Sequence, residues 1–536
     1  MENPIRRITA KIQREHLHRL NRKRISQISK QIPDNDPENP DQPPIIIFNA
    51  STRLEGISLN AGFSLITAWA LRMAGYPVIH FVCARGMSRC VLGTNRDDPI
   101  QAPPCTRCIR TSKDMYVNSS VRAFEFEMNA AMKQELQDLP LEELLTYPLD
   151  DVPLGKLILP SLRWILRRHH LVDDEDTRQL ARHYLLSAET IVREFNHLLD
   201  QAQPQAVIVF NGMFYPEAVA RFLALQRDIP VYTHEVGMLP LSTFFTSGEA
   251  TAYPIDIPET FSLTEEQDRL LDDYLAQRRA GKFTTAGVKF WPEMRDLKSA
   301  FQGEMGDFKA IVPVFTNVVF DTSQSHANVI FPHMFVWLES VLKAIKTHPE
   351  ILFVIRAHPD ELRIGKESAE TVADWMVKQN VLDLPNVRFI NANEYISSYD
   401  LIDVAKFVMV YNSTIGLEAS IMGKPVLCAG KARYTQVPTV FFPKSKDEFC
   451  NTLEKFIKSE KIEIPAEFVS NSRKVLYSQL FLASLSFSDF LEDENLWKGY
   501  VKIKNFKPQA LKAQNSPAIA TILRGIQQKE QFLHRS

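Results

Sequence analysis

IIIFNASTRLEGISLNAGFSLITAWALRMAGYPVIHFV, residues 45–82, is the stretch that decides the fold. The apolar run Ile45–Phe48 reads as a strand, and the polar turn Asn49-Ala-Ser-Thr52 leaves it. Gly56 and Gly62 lead into a helical stretch from Ser64 to Ala74. Gly75-Tyr-Pro77 stops that helix, and Val78–Val82 reads as the next strand. A strand, a helix and a second strand within so few residues form a βαβ unit, and such a unit implies a parallel sheet.

The same grammar recurs outward from it. A mostly helical region at about 155–200 has Leu180, Tyr184, Ala188, Ile191, Phe195 and Leu198 on one face. Then Ala206–Phe210, Asn211-Gly212, a helix to about Arg227 and Ile229–Thr233 make a second βαβ unit. Residues 255–305 are charged and helix-rich, without obvious strands. Beyond them Ala310–Phe315, Leu352–Arg356, Val387–Ile390, Phe407–Tyr411 and Pro425–Leu427 are short apolar runs bounded by turn formers, as buried parallel strands are. The expected architecture is α/β, with two Rossmann-like domains facing across a cleft, a helical connector and C-terminal helices. The expected boundaries are a basic segment and Pro-rich linker at 1–44, an N-terminal Rossmann-like domain at 45–250, a helical connector at 251–305, a C-terminal Rossmann-like domain at 306–445 and a helical extension at 446–536.

A chain of 536 residues is too long for one core, which agrees with two domains. A formal charge of −2 gives no overall bias toward nucleic acid, and none is expected as a partner. No apolar run approaches the roughly 18 residues that suggest a membrane span. The start lacks the apolar core of a secretory signal, so cytoplasmic residence is expected. Residues 1–30 hold nine Lys/Arg against two acids, with Ile5, Ile8, Ile12, Leu17 and Leu20 near helical spacing. That pattern suits a helix lying on the inner, anionic membrane face, and equally a solvated helix or frayed terminus. The five prolines of residues 32–44 read as a linker.

Candidate chemistry sits just after the strands, where open α/β sheets bind ligands. Arg356-Ala-His358-Pro359 leaves one strand. Pro359 holds His358 in extended geometry, and the Arg and His suit a diphosphate by charge and by hydrogen bonding. Ser413-Thr414-Ile-Gly416-Leu-Glu418 runs from a strand into a helix. Ser413 or Thr414 can cap it, Gly416 keeps backbone open to a phosphate, and Glu418 lies near the first turn. Glu235, in Thr233-His234-Glu235-Val236-Gly237, suits a general base or an electrostatic partner for an acceptor hydroxyl. Thr316, Asn317, Asp321, Tyr399 and Tyr434 are candidate lining residues. Each of these motifs also has a plain structural reading, as a helix cap, a turn or a surface carboxylate. Cys83, Cys90, Cys105 and Cys108 are crowded enough to hold a structural zinc ion, or else to be free thiols in a loop. No Asp-x-Asp pair ends a convincing strand, so a metal-bridged diphosphate is not expected, and no cofactor is expected to be required for catalysis.

Residues 310–445 resemble the carboxy-terminal domain of the capsule polysaccharide biosynthesis glycosyltransferases. The matching residues are Thr316-Asn317, Trp337, Arg356-Ala-His358-Pro359, Ser397-Ser-Tyr399, Ser413–Glu418, Gly423-Lys-Pro-Val426, and Gly430 with Tyr434. The resemblance implies the GT-B architecture, a nucleotide-sugar donor and a polysaccharide or lipid-linked acceptor. It also implies Glu235 and His358 as catalytic residues, with Arg356, Pro359, Thr316, Asn317, Ser413, Thr414, Gly416, Glu418 and Tyr399 at the donor. A nucleotide-sugar epimerase, a polyol-phosphate transferase or a non-catalytic binding protein on the same scaffold are the other readings.

Overall fold

The computed structural model describes residues 4–33, 42–52, 54–99, 101–280, 284–285, 288–289, 297, 301, 304–363 and 365–535. Most of the expected linker, residues 34–41, lies outside the described residues.

Strands β1 (Ile45–Phe48), β2 (Val78–Cys83), β3 (Ser120–Phe124), β4 (Ala206–Phe210), β5 (Val231–Val236) and β6 (Ser242–Thr246) belong to one sheet. Strands β7 (Ala310–Phe315), β8 (Ile351–Arg356), β9 (Val387–Ile390), β10 (Val408–Val410) and β11 (Val426–Cys428) form a second. The tail then supplies β12 (Leu485–Ser486), which joins the first. Sheet orders are β12-β6-β5-β4-β1-β2-β3 and β9-β8-β7-β10-β11. Every pairing in the second sheet is parallel, and in the first only β6 and β12 run against their neighbours.

The central strands β1 and β4 are buried on both faces, which is why they read as unbroken apolar runs, whereas the edge strand β3 is largely exposed. Ile46 and Phe48 point into one core with the helix Glu175–Ala202, while Ile45 and Ile47 point into another with the helix Leu59–Met73. In the second sheet Val312, Val314, Phe353 and Ile355 face one way and Leu352 and Val354 the other.

The tail does more than the helical extension expected of it. Leu485, Phe487, Leu491, Val501 and Ile519 are fully buried in the first sheet's second core, beside Phe63 and Trp69. At about 1.5–3 kcal/mol per buried large apolar side chain, the tail is part of that unit's stability. Its strands Leu491–Asp493 and Val501–Ile503 pair only with each other and are too short to carry a sequence signature.

The N-terminal helix Pro4–Ser29 docks on this tail. Ile25 and Ile28 are buried, Asn21 donates to Val501 O (3.3 Å) and Arg24 to Ile503 O (2.6 Å). Arg14 pairs with Glu55 and Arg22 with Asp114, so several basic residues are engaged within the protein. Among the described residues no helix is long and apolar enough to cross a membrane. In the connector the helix Glu265–Arg279 opens on a capping box, and two-residue strands at Thr284–Thr285 and Val288–Lys289 pair antiparallel.

Candidate functional site

Strand order reverses at β7 in the second sheet, between β8 on one side and β10 on the other. A crevice opens beyond the carboxyl ends of strands at such a point. Here it is a cleft of about 220 Å³. Asn317 follows β7, His358 follows β8, and Asn412, Ser413 and Thr414 follow β10. Lys431, Arg433 and Gln436 close one side, and Thr251, Ala252 and Pro254 reach in from the end of the first sheet unit. Two cations and two histidines, His326 and His358, line this cleft, and among the described residues no carboxylate does.

His358 is oriented by the turn that Pro359 begins. The Asp360 amide donates to His358 Nδ1 at 3.1 Å, so the neutral ring carries its proton on Nε2. Burial lowers the pKa of this ring, Asp360 and Asp321 oppose the shift, and Arg356 adds to it. The net shift is downward, so at neutral pH His358 is a hydrogen-bond donor rather than a cation.

Asn317 Oδ1 accepts from the Asn412 amide at 3.3 Å and ties the ends of β7 and β10 together. Thr316 is buried behind it, donating through its amide and its hydroxyl to Arg356 O (3.1 and 2.9 Å). Arg356 is itself buried, gives a 2.6 Å hydrogen bond to Ile396 O, and does not line the cleft. Burial pulls its pKa down to about 10, which still leaves it charged. Its place is beneath the cleft floor.

The segment after β10 divides in two. Ser413 and Thr414 stand on the cleft wall, and Thr414 opens the seven-residue helix Ile415–Ile421 without a side-chain capping bond. Gly416 and Glu418 turn inward. A Cβ on Gly416 would overlap the Tyr434 hydroxyl, which donates to Ser413 O at 2.7 Å. Glycine is therefore explained by Tyr434, not by room for a phosphate. Glu418 is buried and doubly paired with Arg278, through Nε and NH2 at 2.8 Å each, and accepts from the Tyr399 hydroxyl. Burial acts to lower the Arg278 pKa, but Glu418 and the neighbouring tyrosines override it and hold it above the ordinary value.

On the first sheet, Glu235 lies near the end of β5, with Asn211 at the end of β4. Its Oε1 accepts from Asn60 Nδ2 (3.1 Å) and the Val236 amide (2.8 Å), and its Oε2 from Asn211 Nδ2 (2.9 Å). Asn211 and Gly212 both adopt positive φ, and this turn aims the Asn211 amide at Glu235. Burial raises the Glu235 pKa; the three hydrogen bonds and Arg433 counter the shift, yet the balance stays upward. Arg433 also lies over the Tyr253 ring at 4.7 Å, so the cationic cleft and the Glu235 end of the first sheet share a border.

Cys83, Cys90, Cys105 and Cys108 line one small cavity, where the helix Cys105–Met115 meets the end of β2. Burial pushes the Cys83 thiol up to about 12 and Cys90 higher still. Among the described residues no three of these sulfurs lie within 4.8 Å of one another, whereas ligand atoms of His169, His170 and His333 do.

Sequence reasoning passed over Lys431, Arg433, His326, Asn412, Asn60 and Arg278. Lys431 and Arg433 stand between Gly430 and Tyr434, a signal available but unread. Arg278 lies 140 residues from its partner Glu418, and nothing local announces it.

The profile of the family described as Capsule polysaccharide biosynthesis protein matches residues 296–438. That match spans the whole of the second sheet. It holds every cleft residue from Asn317 to Gln436, while Glu235 and Thr251 lie outside it. Protein FixF of Sinorhizobium fredii (strain NBRC 101917 / NGR234) is 34% identical over 103 residues, 19% of this chain. The match spans about a fifth of that relative's length, 21%. Among solved structures, the chain aligns with the KpsC beta Kdo 2,4 transferase of Thermosulfurimonas dismutans at 15% identity and a TM-score of 0.35, over 52% of this chain and 80% of that one. The KpsC beta Kdo 2,7 transferase of the same organism gives 18% and 0.33, over 55% and 84%.

Proposed function

We propose that the protein is a glycosyltransferase that moves a sugar from a nucleotide-sugar donor to a surface-polysaccharide or lipid-linked acceptor. The observation that carries this reading is the cleft at the switch point of the second sheet, where Lys431, Arg433 and His358 stand on the walls and, among the described residues, no carboxylate does. A nucleotide phosphate needs such countercharge and donors, and they act most strongly where water is displaced. The capsule-synthesis match over the same residues supports it.

In this mechanism the bond between the sugar's anomeric carbon and the nucleotide phosphate oxygen breaks. His358 donates a hydrogen bond to the departing phosphate while Lys431 and Arg433 balance its charge. Ser413 and Thr414 position the donor from the end of β10. Glu235, across the border marked by Arg433 and Tyr253, takes the proton of the acceptor hydroxyl as that oxygen bonds to the anomeric carbon. A carboxylate with an upward-shifted pKa suits a general base, since it holds a transferred proton more firmly. The countercharge comes from side chains, so transfer is expected to persist in EDTA.

The test is product analysis with a donor panel in the presence and absence of candidate acceptors. A new glycoside formed only with acceptor supports transfer. Release of an isomerised nucleotide sugar without acceptor would make the protein an epimerase instead.

A further inference from the structure

The loop after the helix Leu154–Leu166, in the first unit, carries His169 and His170, and His333 begins the helix Met334–Thr347 in the second. The three rings meet with centroids 4.4–4.9 Å apart, and one ligand nitrogen from each lies within 4.8 Å of the others. His170 Nε2 and His333 Nε2 are 3.3 Å apart. Two imidazole nitrogens each about 2.0–2.1 Å from one tetrahedral ion stand roughly 3.3 Å apart.

The surroundings are those of a built site. Glu370 Oε1 lies 2.6 Å from His170 Nδ1, which leaves Nε2 of that ring turned toward His333. Glu370 Oε2 accepts from the His169 and His170 amides at 2.9 and 3.1 Å, fixing the loop that carries both rings. A carboxylate on the far nitrogen of a ligating histidine is the usual way its tautomer and direction are set. His333 Nδ1 is buried without a hydrogen-bond partner in the structure. Arg163 opposes a cation here, with its NH2 at 3.5 Å from His169 Nε2, and an ion would displace that contact.

We infer that His169, His170 and His333 form a binding site for one first-row divalent cation of the zinc class. The ion joins the two sheet-bearing units at their seam, with Glu370 as the positioning carboxylate. His170 is half-exposed, which gives the ion a way in and leaves its remaining position to water. The seam is also stitched by the Ala369 amide, which donates to Arg167 O at 2.8 Å. Three imidazoles and a water suit zinc, cobalt or nickel better than magnesium or calcium, which prefer oxygen ligands.

The competing account is a plain hydrogen bond between the two Nε2 atoms, with no ion. The full-length protein, stripped with chelator, is titrated with cobalt(II) and zinc(II) by absorption and calorimetry. His170→Ala and Glu370→Gln are run beside it, each checked by its melting curve in chelator. We expect one ion per chain with tetrahedral cobalt bands, free of thiolate charge transfer and independent of the four clustered cysteines. Its affinity should fall at least 100-fold in His170→Ala and 10- to 100-fold in Glu370→Gln, and at one fixed zinc concentration the rise in melting temperature should be largest in the wild type and smallest in His170→Ala. Absence of binding to the wild type would overturn the site, as would unchanged affinity in His170→Ala. Cobalt bound only with thiolate charge transfer would overturn it too.

Discussion

Glu235 and Glu418 are both glutamates singled out at strand or helix ends, Glu418 buried and Glu235 half-buried, and the fold gives them opposite surroundings. Glu418 is gripped by a guanidinium and a phenol. Glu235 is held by two side-chain amides and one backbone amide, all neutral. A carboxylate paired to a guanidinium inside the fold is committed to holding that pair together. One held by neutral donors in a water-poor place can take up a proton and return it. Residue type alone does not separate the two. Their partners do, and the partners come from Arg278 in the connector and from Asn60 and Asn211 at the ends of other elements.

The sharpest way to break the contrast is kinetic. Glu235→Gln should lower transfer kcat by about 10²- to 10⁴-fold while melting within a few degrees of wild type, because the amide keeps the shape and loses the base. In the wild type the acid limb of kcat/KM should lie above the ordinary carboxylate range, since the ionised form is the active one. A limb at ordinary carboxylate values, or near-wild-type turnover in the variant, would place Glu235 with Glu418 as structure.

Arg278→Ala is the converse. It leaves the Glu418 carboxylate in place without its cation, and breaking a buried pair from one side costs about 3–5 kcal/mol. Arg278 keeps some exposure, which favours the lower figure. Denaturant or thermal unfolding should show the loss, with the per-molecule kcat of the folded fraction close to wild type.

A third glutamate sharpens the comparison. Glu217 is fully buried, its Oε1 accepts from the Ser51 amide at 2.6 Å, and its Oε2 has no hydrogen-bond partner in the structure. Burial pushes it up to about 7, despite that hydrogen bond. The folded state therefore keeps a proton that the unfolded chain has lost. Stability from this group is present at low pH and falls as pH rises from the ordinary glutamate value through about 7, by up to about 3 kcal/mol. Glu217→Gln should flatten that slope when melting is followed from pH 5 to 8, and an unchanged slope would contradict the assignment.

The smallest of these effects concerns Gly416. Gly416→Ala forces the new methyl against the Tyr434 hydroxyl and should cost about 1–3 kcal/mol as overpacking does. Pairing it with Tyr434→Phe tests the cause, since loss of the hydroxyl should restore part of the stability.

These partners explain what the sequence made legible. Parallel strands are apolar on both faces, so β1, β2, β4, β7, β8 and β10 announce themselves as short runs with polar stops. Anything placed at those stops, such as His358, Asn317, Ser413 or Glu235, is recognisable as facing a sheet edge. Direction is not recognisable in the same way. Whether Gly416 and Glu418 face the cleft or the core depends on Tyr434 and Arg278, contacts made only after folding. Arg356 shares its motif with His358 and goes the other way, because the loop at Ile396 claims its guanidinium. The tail's two- and three-residue strands carry no period to detect, so their place in the first core emerges only from packing.

On the proposed reading, a nucleotide phosphate occupies the cleft beyond β7, β8 and β10. Melting the wild type and a Lys431→Ala/Arg433→Ala double variant against a panel of nucleoside mono- and diphosphates and nucleotide sugars, with EDTA present, tests it most directly. A ligand at about 100 times its Kd stabilises by about 2.7 kcal/mol, well within reach of a melting curve. At least one nucleotide should raise the wild-type melting temperature and lose most of that effect in the double variant. No shift with any nucleotide, or a shift that survives loss of both cations, would contradict the account.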